Sequence, residues 1–131
     1  MTDTDSLVDA ARRARAHALA PYSNFKVGAA IRTRSGRIFT GCNVENATYG
    51  LTVCAERVAL WKALSEGERD FDEIAIVIDT EPLTPPCGAC RQLLWEYGGD
   101  LTVTLANLTS VTWQHQMSEL LPIPFDRRFL K

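Results

Sequence analysis

The sequence carries little net charge: 14 Lys and Arg stand against 16 Asp and Glu, a formal value of -2. Without a positive excess there is no general electrostatic grip on nucleic acid or on an anionic membrane. No apolar run approaches the length needed to cross a bilayer. The opening "MTDTDSLVDA" is acidic and lacks a basic stretch followed by an apolar one, so no secretory signal is expected and the cytoplasm is the expected compartment. No internal repeat, low-complexity tract or linker interrupts the 131 residues, and one domain over 1–131 with a real core is expected. Cysteines are few, at four. In a reducing compartment they read as metal ligands, catalytic groups or packing residues before they read as disulfides. His17 and His115 have no supporting motif, although a cation near a helix C-terminus would suit His17.

What is present is ordered patterning. "DSLVDAARRARAHALAP" reads as a helix with Leu7, Ala10, Ala11, Ala14 and Ala18 on one face, a Ser6–Asp9 capping box and Pro21 at its end. "KVGAAIRTRSGRIFTGCNVE" reads as two strands around a Ser35–Gly36 turn. A second helix is expected from about Val53 to Leu64, with Val58, Trp61 and Leu64 as its apolar stripe and Leu60 widening it. "EIAIVID" is apolar throughout, as in a strand covered on both faces. A Pro-rich loop, "TEPLTPP", leads to a third helix, "CGACRQLLWEY". "LTVTLAN" and "SVTWQHQ" read as strands, and "SELL" as a short helix. The order α-β-β-α-β-α-β-β-α predicts an α/β fold with one mixed sheet and helices packed over it.

The chemistry concentrates at two helix starts. Cys87 and Cys90 are spaced i, i+3, which puts both sulfurs on one face. Two such thiolates can share a tetrahedral zinc, and helix N-termini favour thiolates. The spacing alone is also open to a packing pair, and less readily to a redox dithiol. Cys54, at the start of the other helix, offers a third ligand. Three protein ligands leave a fourth position open, the pattern of a catalytic zinc rather than a structural one. Glu56 then lies near that position. Residues at i and i+2 do not face each other in a helix, so Cys54 and Glu56 converge only beyond the helix end. C-A-E followed by P-C-x-x-C differs from the zinc-deaminase pattern H-x-E…P-C-x-x-C only by Cys for His.

With "PYSNFKVGAA", "GCNVENATYGLTVCAER", "PCGACRQ" and "ELLP" in this order, the chain closely resembles the small homotetrameric cytidine deaminases. The resemblance implies a three-layer α-β-α fold with a mixed five-stranded sheet. It implies one zinc per chain on Cys54, Cys87 and Cys90, with Glu56 as the proton shuttle. The implied reaction is hydrolysis at C4 of cytidine and deoxycytidine, with Glu56 passing the water proton to N3 and then helping ammonia to leave. Arg57 would hydrogen-bond the ligand sulfurs and offset their charge. Asn43 and Glu45 would bind the sugar, Phe25 would pack on the pyrimidine, and Ala55 would contribute backbone contacts. Tyr49 and Phe125 would complete the sites of neighbouring subunits in a homotetramer. The nucleoside is the expected partner, with neither nucleic acid nor membrane.

The chain departs from the family where P-G-A-F is usual: it reads Pro122-Ile123-Pro124-Phe125, and ends in "DRRFLK" rather than an acidic tail. Trp113 is also atypical, and reads as a subunit contact or a core residue. Cys42 reads as a packing residue. Three other readings compete: a deaminase of another aminopyrimidine nucleoside such as blasticidin S, a thiol-disulfide oxidoreductase using Cys87 and Cys90, and a silent zinc-binding scaffold. The second leaves Cys54, Glu56 and Arg57 without a role, and the third leaves Glu56 without one.

Overall fold

The computed structural model describes residues 3–80, 82–109 and 112–130. Five strands form one sheet in the order β2-β1-β3-β4-β5, with β1 Val27–Thr33, β2 Ile38–Cys42, β3 Phe71–Ile78, β4 Thr102–Ala106 and β5 Thr112–Gln116. The β3–β4 pair is parallel and the other pairs are antiparallel, so the sheet is mixed as expected. The expected last strand is found over Thr112–Gln116; Ser110 and Val111 lie outside the described residues.

Helix α1, Asp3–Arg15, covers one face. There Leu7, Val8, Ala10 and Ala11 meet Ala30, Ala75, Val77 and Ala106. Helices α2, Ala55–Ser65, and α3, Gly88–Gly98, cover the other face. On that side Ile74, Ile76 and Ile78, alternating with Ala75 and Val77 along β3, pack with Ala59, Leu60, Ala63 and Leu94. The period-2 alternation of a strand thus splits one apolar run between two cores. A short helix α4, Met117–Leu120, closes the chain's last turn before the C-terminal segment. The result is the three-layer α-β-α arrangement. Among the described residues no helix is long and apolar enough to cross a membrane.

Three local expectations are corrected. α1 begins at Asp3, so Ser6 lies within the helix and no Ser6–Asp9 capping box starts it. It also stops at Arg15, short of Pro21, leaving Ala18 and an exposed His17 beyond its end. The reason is tertiary: the Leu19 N–H donates to Asn43 O at 3.0 Å and the Glu45 N–H donates to Leu19 O at 2.8 Å. That bridge draws the segment out of helical geometry.

The third correction concerns α2. Its buried face is Ala55, Glu56, Ala59, Leu60 and Ala63, whereas Trp61 is 46% exposed and Val58 and Leu64 are half-buried. Small residues face the sheet because the helix backbone nearly touches it. A Cβ on Gly41 of β2 would lie 2.6 Å from both Ala55 O and Ala59 N. Gly28 makes the same allowance for α1, since a Cβ there would stand 2.0 Å from Ala11 O. A larger stripe would hold α2 away, so the sheet selects the alanine face and carries Glu56 inward with it.

Candidate active site

Cys54 is the N-cap of α2 and Cys87 the N-cap of α3, and neither sulfur caps its helix by a hydrogen bond. Cys90 lies one turn into α3 and is buried. The two helix ends point together, and the three sulfurs lie within 4.8 Å of one another. Cys54, the N-cap, and Glu56, in the first turn of α2, line the same cavity.

The electrostatics show a crowded anion site. A hydrogen bond from Cys90, aided by the Arg57 charge, brings the Cys54 thiol down to about 6. Cys90 is pushed up instead, first by its bond to Cys54 and then by burial. Adjacent like charges resist joint ionisation, and a cation among them removes that resistance. The Arg57 guanidinium faces the same sulfurs, while its Nε is buried with no hydrogen-bond partner. Glu56 is only 6% exposed, and burial first, with the Cys54 charge adding, raises its carboxyl to about 7.

Of these groups Cys54, Cys87 and Glu56 open onto a cavity of about 210 Å³. Phe25, Asn43, Ala55 and Glu56 line it, with Cys54 and Cys87. Thr52, Thr84 and Pro85 line it too, and sequence reasoning missed them. Pro85 and Thr84 belong to the Pro-rich loop, which reads as a mere connector until α3 brings it beside α2. A wider hollow of about 380 Å³ adjoins through Thr52, with Tyr22, Ser23, Glu45 and Tyr49 around it.

Asn43 and Glu45 follow the end of β2, in extended chain held by the Val44–Val53 bridge. Both already brace the 22–27 segment. Asn43 Nδ2 donates to Phe25 O at 2.7 Å and its Oδ1 accepts from Val27 N at 2.9 Å. Glu45 accepts from the Tyr22 and Ser23 amides at 2.9 and 3.1 Å and from the Ser23 hydroxyl. The Ser23 hydroxyl first, then these amides, hold the Glu45 carboxyl below its ordinary value.

Phe125 does not reach this cavity in its own chain. It stacks on Phe129 with ring centroids 5.8 Å apart and is 60% exposed. Tyr49 is 75% exposed and meets Tyr22 edge-on at 6.1 Å. Trp113 is 54% exposed on edge strand β5, against His115, so the core alternative is not taken. Cys42 is half-buried at the end of β2.

Residues 1–106 match the family described as the cytidine and deoxycytidylate deaminase zinc-binding region. A cytidine deaminase from Halalkalibacterium halodurans is 50% identical over 124 residues, 94% of each chain. One from Sporosarcina psychrophila is 43% identical over 98% of this chain and 95% of its own. The crystal structure of cytidine deaminase from Burkholderia pseudomallei superposes with a TM-score of 0.91 at 50% identity, covering 95% of this chain and all of that one. A blasticidin-S deaminase from Bacillus cereus is more distant, 36% identical over 77% of each chain.

Proposed function

The chain belongs to the cytidine and deoxycytidylate deaminase family, and from that membership we infer that Cys54, Cys87 and Cys90 hold one zinc ion with Glu56 as the proton carrier beside it. It is an enzyme that deaminates cytidine by hydrolysis, releasing ammonia. The observation that carries the site assignment is the convergence of three sulfurs within 4.8 Å, two of which line one cavity with a buried carboxyl. The donor set suits zinc, since thiolates are preferred zinc ligands and the three leave a position open.

Zinc supplies a Lewis acid that makes water a nucleophile near neutral pH. The protein does the rest. Glu56, with its carboxyl near 7, can both take and return a proton at working pH. It takes one from the attacking water, delivers it to N3 of the base and helps protonate the leaving amine. Phe25 offers its ring to the pyrimidine, Ala55 its backbone, and Asn43 and Glu45 bind sugar hydroxyls from one side. Their bonds to the 22–27 segment hold both side chains in place before substrate arrives, which reduces the ordering that binding requires. Arg57 offsets the negative charge of three thiolates. Deoxycytidine is a second substrate. One domain spans 1–131, acting in the cytoplasm as a homotetramer in which the exposed Tyr49 and Phe125 complete neighbouring sites.

The test is ammonia release from cytidine by the zinc-loaded protein, with adenosine as control, beside Glu56→Gln. Cytidine alone turns over, and Glu56→Gln keeps about one zinc per chain while losing activity. Loss of zinc or of fold in Glu56→Gln would refute the proton-carrier role. A monomeric mass by sedimentation would refute the tetramer.

A further inference from the structure

Of the three sulfurs, that of Cys87 rests on the least supported backbone. Cys90 is inside a helix. Cys54 follows Val53, whose N–H and C=O both pair with Val44 at 3.0 Å. Cys87 instead follows an irregular loop in which Pro82, Pro85 and Pro86 have no N–H to contribute. Its side chain is also exposed, so packing does not hold it either.

One residue compensates. The Arg91 N–H donates to Cys87 O at 2.9 Å, the first turn of α3. Its side chain, running back toward the helix start as long helical side chains do, donates from Nε to Pro86 O at 2.8 Å. The two peptide planes flanking the Cys87 Cα are thereby tied to the same residue. Those planes set φ and ψ at Cys87, observed at -67° and 167°, and so the direction of its Cα–Cβ bond. The guanidinium has a second anchor: Nη1 donates to Leu120 O at 2.8 Å, at the last residue of α4. Its planar fork lets one group hold two carbonyls on different elements, which a point-charge ammonium does not reproduce. The side-chain hydrogen bonds of Arg91 go to Pro86 and Leu120, neither of which binds or reacts with substrate in the reading above.

We propose that Arg91 is a positioning residue that presents Cys87 to the metal, clamping the Pro86–Cys87 backbone against the end of α4. The proposal rests on the three-cysteine zinc site, and its test separates the two. Zinc content and zinc affinity are measured by chelator competition for the wild type, Arg91→Ala and Arg91→Lys, with Tm and the kcat and KM for cytidine recorded on zinc-loaded protein. A wild type that binds no zinc refutes the metal site itself. With zinc bound by the wild type, Arg91→Ala is expected to lose about 10- to 100-fold in zinc affinity, the range for outer ligand-orienting partners. kcat falls with it, and KM stays near the wild-type value because the sugar and base contacts are untouched. Arg91→Lys, retaining one of the two side-chain bonds, falls between. Wild-type zinc affinity in a folded Arg91→Ala, with Tm alone lowered, overturns the proposal and leaves Arg91 a purely structural tie. If Arg91→Ala does not fold, Arg91→Lys decides: weakened zinc binding supports the clamp and unchanged binding overturns it.

Discussion

Replacing Gly41 by alanine tests whether the closeness of α2 to the sheet sets the chemistry. The new Cβ would stand 2.6 Å from Ala55 O and Ala59 N and 2.9 Å from Val58 Cβ. Two of these atoms are helix backbone and cannot rotate away. Ordinary contact begins at 3.4 Å, so α2 must retreat by about 0.8 Å at that point. Overpacking of this kind destabilises by about 1–3 kcal/mol. With an unfolding entropy of about 2.1 cal/mol/K per residue, this chain should lose roughly 4–11 °C in Tm. The second effect is local. The displaced turn carries Cys54, Ala55 and Glu56, and misplacement near 1 Å at reacting groups lowers rates by up to about 10²-fold. The assay is kcat/KM for cytidine beside a thermal melt, with Gly50→Ala, whose Cβ meets nothing within 4 Å, as the control. A lowered Tm with unchanged kcat/KM would refute the coupling between sheet contact and site geometry. No change in either would refute the close approach itself.

Further predictions concern the opposite face and the C-terminal segment. Glu73, 5% exposed, accepts from Arg32 Nη2 at 3.0 Å, from Thr104 Oγ1 at 2.5 Å and from Thr4 Oγ1 at 3.1 Å. Glu73→Ala should destabilise by about 3 kcal/mol in urea unfolding, the low end for breaking a buried pair, since Arg32 keeps Asp72; kcat/KM of the folded protein should hold. Ile123 has φ +50° and is 97% exposed, so Ile123→Gly should raise Tm slightly, by about 2–4 °C for a net relief near 0.5–1 kcal/mol. Asp126 is held down to about 2, first by Arg128 and then by the Trp95 indole N–H, which donates to it at 2.9 Å. Its folded value lies below its ordinary 3.8, so its stabilisation is full above that pH and fades as pH falls toward 2. Acid titration of fluorescence, wild type minus Trp95→Phe, should show release of the C-terminal segment near pH 2; a midpoint near 4 would contradict the pairing.

Much of the site was readable because its chemistry lies in short stretches. C-A-E and P-C-x-x-C each sit at a helix start, and at α2 and α3 local patterning placed those starts to within a residue or two. The conclusion that Cys54 and Glu56 meet only past a helix end needed nothing but helix geometry, and the cavity holds both. By contrast, the apolar stripe expected on α2 was right only in part: Leu60 is buried and Leu64 packs against the core, but Trp61 is exposed. Hydrophobic periodicity weighs side-chain size, and here the close approach at Gly41 brings Ala55 and Ala59 against the sheet instead. The early end of α1 was hidden for a related reason, because Leu19 bonds to Asn43 and Glu45, distant in the chain.

By itself the sequence determined the kind of sheet, the split of one apolar strand between two cores, and the residue types of a zinc deaminase. These follow from periodicity and from motif spacing, both of which act over a few residues. Only the tertiary structure decided which face of α2 is buried, that Glu56 is raised toward neutrality, and that Arg91 ties the Cys87 backbone to α4. The first and last of these depend on groups far apart in the chain meeting at near-contact distance, Gly41 with Ala55 and Ala59 and Arg91 with Leu120, and the Glu56 shift depends first on burial, which no local pattern encodes.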